Sequence, residues 1–387
     1  MNISLILFWG AVALLAYTYA LFPMILAVRG LFWRRPVQAA DIEPRVSLII
    51  AAYNEAGSIA AKIENLLALD YPPERLQVVI ASDGSTDGTV EVASRYAGER
   101  IRVLALPRQG KAGALNDAVR AATGEILVFS DANSMYAPDA IRALVRPFAD
   151  PSVGGVAGNQ RYLSGGEASM TGAGERSYWS FDRLLKRTQS RAGSTISATG
   201  AIYAIRRSLF LPVPEGVTDD FVTSTRVIAQ GYRLVFVPDA VAYEPVARSS
   251  EVEFGRKVRV ITRGLRGVLV MRELLNPFRH GFYALQLFTH KLLRRLMFLP
   301  LIVLFLATIP LWDDGWFYRL ALLAQLAFYG CALLGLLLRG TRIGRLKPFT
   351  IPFYFCVVYA AALIATWNLL RGQRITHWTP QRQAAAQ

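Results

Sequence analysis

Residues 3–28, ISLILFWGAVALLAYTYALFPMILAV, contain no charged side chain over a length that crosses a bilayer. A signal peptide needs a basic start and a shorter apolar core, and this segment has neither. The pattern predicts a membrane helix over 1–30, and Arg29, Arg34 and Arg35 just after it place the following domain in the cytoplasm. From residue 40 to 272 the pattern changes. Short apolar or β-branched runs at Val46–Ala51, Gln77–Ala81, Arg102–Ala105 and Ile126–Phe129 alternate with helical periodicity, clearest at Ile59–Leu69 and Ala112–Ala122. That alternation predicts an α/β domain with a mainly parallel sheet and helices on its faces.

Beyond the domain, 273–295 has the pattern of an amphipathic segment lying along the interface. Apolar stretches at 296–312, 317–338 and 349–370 predict about three further membrane helices within 296–372, followed by a polar tail over 373–387. Asp313 and Asp314 read as a hairpin link on the far side, and Arg339, Arg342, Arg345 and Lys347 mark a return to the cytoplasm. One helix before the domain and three after it leave the tail outside, although Arg371, Arg374 and Arg382 prefer the inside. Either one span is re-entrant or the tail is an exception.

Composition agrees with an integral protein of an inner or plasma membrane: 53 % of the 387 residues are hydrophobic and the mean hydropathy is +0.30. A net charge of +15 and a pI near 10.1 fit nucleic acid, anionic lipid or an anionic substrate. The basic residues flank apolar segments, and no zinc-finger spacing, basic zipper or RNP-like run is present, so no nucleic-acid partner is expected. Cys331 and Cys356 lie inside apolar runs as small hydrophobes. His280, His290 and His377 are scattered and receive no metal role.

In open α/β sheets ligands bind beyond the carboxyl ends of the strands, so the polar clusters there carry the candidate chemistry. The first strand ends in AAYNEAGSI and the second in ASDGSTDGT, which puts Asp83 before a glycine turn. Such a carboxylate can bind a nucleobase or ribose, and the same residues also make an ordinary turn. No Gly-Lys-Ser/Thr ending follows, so the loop is not a P-loop. Lys111, in RQGKAGALNDA, stands at a helix start suited to phosphate, or is a solvated lysine. In FSDANSMY, Asp131 and Asn133 at i and i+2 can hold a divalent cation with its diphosphate, or cap a turn. In GVTDDFVTS, Asp219 and Asp220 are either capping charges or, in the cleft of Asp131, a source of a general base. Glu175–Arg187 reads as an amphipathic helix near the membrane, in which Trp179 either stacks on an acceptor sugar or packs in the domain. Thr199-Gly200-Ala201 offers small residues against donor or acceptor.

Taken in order, these segments resemble glycosyltransferase family 2, in its membrane-bound branch of polysaccharide synthases and glycolipid glycosyltransferases, from about Val46 to Val268. The resemblance implies a GT-A fold, a nucleotide-sugar donor (usually UDP-linked) and inverting transfer of a hexosyl or N-acetylhexosaminyl group. Asp83 would contact the nucleobase and ribose, with Asn54, Glu55 and Lys111 also on the donor. Asp131 and Asn133 would match the Asp-x-Asp pair at diphosphate and Mg²⁺ or Mn²⁺. Asp220 would be the catalytic base, and Asp219 stands where a glutamate is often found, on the acceptor side. Arg256 and Arg259 would replace the Gln-x-x-Arg-Trp motif on the diphosphate. Two departures follow: the amide of Asn133 is a weaker ligand for a hard cation, and the lost Gln and Trp weaken the case for processive polymerisation. The acceptor is left as a polysaccharide chain or a lipid in the bilayer. A rival reading is a catalytically inactive membrane partner of a synthase complex; a nucleotidyltransferase would need a Gly-rich basic loop after the first strand, which Ala51–Glu55 lacks.

Overall fold

A computed structural model describes residues 2–162, 182–244 and 250–373, with the side chains of 250–253 left aside. Strand β1 (Val46–Ala52) is buried along its whole length and runs parallel to β2 (Leu76–Asp83) on one side and to β4 (Ile126–Asp131) on the other. Strand β3 (Ile101–Leu106) extends the sheet beside β2. Continuous apolar runs rather than alternating ones are what a strand covered on both faces requires. Leu48 and Ile50 pack under the helices Ala56–Leu67 and Ala140–Val145. Ile49 and Ala51 pack under Lys111–Arg120 on the opposite face. Ser47, wholly buried, donates to Gln77 Oε1 (2.6 Å) and accepts from the amide of Gly124 (2.8 Å), so its hydroxyl costs little.

The second half of the sheet is mixed. Strand β7 (Tyr203–Arg206) lies antiparallel between β4 and β6 (Val153–Tyr162), β8 (Arg233–Glu244) runs parallel to β6, and the short β5 (Met135–Tyr136) closes the edge. The order is β3-β2-β1-β4-β7-β6-β8-β5. The predicted parallel character holds for β3-β2-β1-β4 and for the β6–β8 pair, while β7 enters antiparallel by a return connection that hydrophobic pattern cannot register. Pro238 has no amide for the ladder, the β6–β8 register slips beside it, and Asn159 donates to its carbonyl (2.7 Å). Because β7 is antiparallel, the Thr199-Gly200-Ala201 segment before it arrives at the carboxyl ends of β1, β2 and β4.

Helix Asp219–Ala229, helix Ser250–Val270 and the 273–295 segment share a third core containing Val217, Phe221, Val268, Tyr283 and Leu287. The 273–295 segment is a chain of short 3-10, α and π turns rather than one helix. Tyr283 and Leu287 face the domain while Phe278, Leu285 and Phe288 stay exposed. Among the described residues three helices are long and apolar enough to cross a membrane: Ile3–Phe32, Trp316–Leu337 and Lys347–Leu370. Phe282–Arg295 and Phe298–Asp314, bent by 57° at their junction, qualify as a fourth if taken together. Ile3–Phe32 contains a π turn, Tyr17–Leu21, at the point where Pro23 lacks an amide to bond back one turn.

Candidate active site

The carboxyl ends of β1 and β2 are knitted together before any ligand arrives. Asn54 has a φ of 54°, and that unusual conformation is held by its amide donating to Ser85 Oγ (3.0 Å) and its side-chain oxygen accepting from the Thr86 amide (2.8 Å). Glu55 donates its amide to Thr89 Oγ1 (2.8 Å) and accepts from Ser58 Oγ (2.5 Å). Asp83 is fully buried. Its Oδ1 accepts from the amides of Gln109 (2.7 Å) and Gly110 (3.0 Å), and its Oδ2 from Arg108 (2.6 Å), whose guanidinium lies 3.4 Å over the Tyr53 ring. Asp83 therefore fixes the 108–110 loop, and through it the start of the helix that opens with Lys111.

Lys111 is the centre of the site. Its ammonium donates to Asp131 Oδ1 (2.7 Å), at the end of β4, and lies 3.1 Å from Asp219 Oδ2, in the first turn of Asp219–Ala229. Burial works against the charge, but Asp131 and Asp219 outweigh it and raise the pKa of Lys111. Burial would push Asp219 up; Lys111 and Arg263 overcome it and hold its carboxyl below the usual range. The neighbouring Asp220 shifts the other way: burial, and then the charge of Asp219, raise it to about 6 against the pull of Lys111 and Lys291. Two adjacent carboxylates thus divide into one fixed in its ionised form and one poised to take a proton. Gly200 passes so close that a Cβ there would sit 2.8 Å from Asp131 Oδ2.

The basic side of the cleft is helix Ser250–Val270, where Arg256, Arg259 and Arg263 recur at one-turn spacing. Arg263 donates to the Val217 carbonyl (2.9 and 2.6 Å), bracing the turn before Asp219, and Arg256 acts electrostatically on Glu244. Burial, then Arg263 and Arg256, lower the pKa of Arg259. Lys257, on the other face, donates to Tyr354 Oη (3.1 Å) of the last apolar helix. Trp179 lies outside the described residues, as does most of the segment in which it was expected to act. A groove of about 550 Å³ at the amino ends of the strands, between Arg45, Arg75 and Glu125, contains none of these groups.

A second buried cluster stands behind Asp131, and no motif announces it. Lys62, fully buried, donates to the Ser134 carbonyl and lies 4.0 Å over the Tyr136 ring. Burial lowers its pKa to about 7 against the pull of Asp131 and Glu244. Glu244, at the end of β8, accepts from Ser134 Oγ (2.5 Å) and Gln160 Nε2 (2.5 Å), and burial followed by Asp131 raises it to about 7. The signal in the sequence was a lysine among Ile59, Ile63 and Leu66, on the apolar face of an amphipathic helix.

Among the described residues no three His, Cys, Asp or Glu side chains converge on a common metal position. One oxygen of Asp131 is already bonded to Lys111, which leaves its other oxygen and the amide of Asn133. That set fits a divalent cation sharing its coordination with a diphosphate and water, as Mg²⁺ does in phosphate sites, and not a cage of protein ligands. The buried hydroxyls of Thr199 and Thr218, beside Gly200 and Asp219, have no hydrogen-bond partner among the described residues.

Residues 47–211 match the family model described as glycosyl transferase family 2. A poly-beta-1,6-N-acetyl-D-glucosamine synthase of Staphylococcus aureus is 25 % identical over 281 residues, 70 % of this chain and 67 % of that protein. An N-acetylglucosaminyltransferase of Mesorhizobium japonicum is 26 % identical over 296 residues, 70 % of each. The solved mannosyltransferase from Pyrobaculum calidifontis, in complex with GDP-Man and Mn²⁺, matches with a TM-score of 0.69 at 27 % identity, over 94 % of this chain and 99 % of that one. A match of that extent takes in apolar helices as well as the sheet.

Proposed function

The chain is a family 2 glycosyltransferase of GT-A fold, and we propose that it transfers a sugar, with inversion, from a nucleotide-diphosphate donor to an acceptor at the membrane surface, Asp220 being the general base. The observation that carries this reading is the division of labour at the start of helix Asp219–Ala229. Asp219 is committed to Lys111, which also holds Asp131, whereas Asp220 is buried with a pKa raised to about 6. A base near that value is ionised at neutral pH and still accepts a proton from a hydroxyl as its oxygen attacks the anomeric carbon. The bond from that carbon to the diphosphate breaks on the opposite face, and the nucleoside diphosphate departs with the bonding pair.

Arg256 and Arg259 are proposed to bind that diphosphate, and Lys111 to hold Asp131 in register beside it. Asn54, Glu55 and the Asp83–Arg108 unit keep the donor end of the cleft preorganised. Asp131 and Asn133 would hold a divalent cation beside the donor phosphates, and that cation would supply charge to offset the negative charge gathering on the leaving group. UDP-N-acetylglucosamine is the first donor to test, on the strength of the two relatives named for that sugar, and GDP-mannose the second. The basic flanks of the apolar helices support a catalytic domain on the cytoplasmic side of the membrane.

The test is a panel of radiolabelled nucleotide sugars offered to membranes carrying the wild-type chain or Asp220→Asn, with and without Mn²⁺. Label should enter a lipid extract or a polymer with one donor, depend on the cation, and be lost by at least about 10³-fold in the variant. Equal transfer by Asp220→Asn would sink the assignment of the base.

A further inference from the structure

The turn that carries Asp131 and Asn133 is gripped from behind by residues that the chemistry above does not use. Ser134, the next residue, is wholly buried, and its amide donates to the Asp131 carbonyl (3.2 Å), which closes the turn. Two other elements hold it. Its carbonyl accepts from Lys62 of helix Ala56–Leu67, and its hydroxyl donates to Glu244 Oε1 (2.5 Å) at the end of β8. Glu244 Oε2 accepts in turn from Gln160 Nε2 (2.5 Å) on β6, so both carboxylate oxygens are engaged. Ser134 and Glu244 are 110 residues apart in sequence. What sets them opposite each other is the antiparallel register of β5 on β8, in which Met135 faces Tyr243 and Tyr136 faces Ala242. Asn65, one turn after Lys62, completes the grip: it accepts from the Tyr136 amide (2.7 Å) and donates to the Tyr136 carbonyl (2.9 Å).

What such a clamp does depends on what stands in front of it. The amide oxygen of Asn133 is a weaker ligand for a hard cation than a carboxylate, and one oxygen of Asp131 is taken by Lys111. A weak ligand set binds well only when little motion has to be frozen as the cation arrives. A turn already closed and pinned at Ser134 meets that condition. Resting on the reading of Asp131 and Asn133 as the cation ligands, we propose that Glu244 is a positioning residue. Through Ser134 Oγ it holds the Asp131–Asn133 turn in the shape that receives a divalent cation and the donor diphosphate. It acts through the serine hydroxyl and not as a ligand. Its place suits the task in a second way, because Arg256, on the helix proposed to bind that diphosphate, is within electrostatic reach of the same carboxylate. Glu244 thus stands between the cation turn and the arginine helix.

The experiment uses the full chain in nanodiscs and measures, by calorimetry, how far Mn²⁺ tightens the binding of UDP, or of GDP if the donor proves to be a guanosine sugar. Ser134→Ala and Glu244→Met should each cut that enhancement about tenfold, the usual scale for residues that orient metal ligands. Affinity for the nucleotide without cation, set at the Asp83 end of the cleft, should not weaken, which a general loss of fold would not permit. The double variant should lose no more than either single one, because the two side chains act through one bond. Glu244→Gln is the control for charge. Its amide oxygen still accepts from Ser134, so it should keep most of the enhancement, whereas a carboxylate acting on the cation by its own charge would not survive the change. Glu244→Gln falling as far as Glu244→Met, additive losses in the double variant, or an enhancement indifferent to Ser134→Ala would each overturn the proposal. Asp131→Asn separates it from the reading on which it rests, and should abolish the enhancement. An enhancement that survived Asp131→Asn would remove the cation from Asp131 and take this proposal with it. One lost in Asp131→Asn but intact in Ser134→Ala and Glu244→Met would overturn the positioning role alone.

Discussion

Gly200 is the narrowest point of the site. A methyl group there would stand 2.8 Å from Asp131 Oδ2 and 3.3 Å from Oδ1, so Gly200→Ala must turn the Asp131 carboxylate away from Lys111. The Lys111 ammonium would then lose its 2.7 Å bond and pull on Asp219. We expect kcat/KM to fall by about 10²-fold, the usual consequence of misplacing a reacting group by an ångström, with Tm changed by only a few degrees. Asp220 makes a second prediction, in two parts. With its pKa raised to about 6, first by burial and then by Asp219, the acid limb of the pH–rate profile should lie near pH 6, well above the ordinary 3.8. A carboxyl that holds its proton more tightly folded than unfolded contributes stability fully present below about pH 4 and lost as pH rises through 6. Asp220→Asn escapes that loss. The inactive variant should therefore melt higher than wild type above pH 6, and the two should converge below about pH 4, which scanning calorimetry can follow.

At the scale of elements, the parallel half of the sheet was legible because each strand there is a short apolar run between turn residues. The mixed half was not. Its order depends on β7 slipping between β4 and β6, a long-range pairing with no local pattern. The site divides the same way. Asp131 and Asp219 can be singled out as carboxylates in the sequence, but that Lys111 joins them across 88 residues follows only from the return of the chain. Asp83 was found as a strand-end carboxylate, yet its engagement with the 108–110 loop depends on the turn at Gly84 (φ +66°), which brings Arg108 close. Lys62 is the instructive case, since a charge among Ile59, Ile63 and Leu66 violates the helix's own pattern and points to a buried partner. It anchors helix Ala56–Leu67 to the turn after β4 through the Ser134 carbonyl. Lys62→Ala removes the stem, opens a cavity and orphans that carbonyl, and should cost roughly 2–4 kcal/mol in denaturant titration. Lys62→Met orphans the same carbonyl but keeps the volume and removes a charge that burial disfavours, so it should cost less than Lys62→Ala, about 1–2 kcal/mol.

For the whole molecule, the open question is whether the bent pair Phe282–Arg295 and Phe298–Asp314 crosses the membrane or turns back. We propose that its second half crosses. Asn2, at the cap of the N-terminal helix, donates to Asp314 Oδ2 (3.1 Å), so the far end of Phe298–Asp314 is level with the start of a helix long enough to span. Phe298–Thr308 at 1.5 Å per residue, continued by the 3-10 turns of Ile309–Asp314 at 2.0 Å, reach roughly 28 Å, close to the thickness of a hydrocarbon core. Trp9 donates to Tyr318 Oη (3.2 Å) and stacks on Phe317, which puts an aromatic girdle at that same level. At the other end, Arg29 lies 4.4 Å over Phe282, so the 282–295 half starts beside the exit of the first helix. In that arrangement Trp316–Leu337 would return to the side of the catalytic domain, where Arg339, Arg342 and Arg345 follow it. In a chain with Cys331 and Cys356 replaced by serine, a cysteine at Asp314 should react with an impermeant maleimide only from the face opposite the domain. One at Arg342 should react only from the domain's own face. Labelling at Asp314 from the domain's face and at Arg342 from the opposite one would mean that Phe298–Asp314 turns back inside the bilayer.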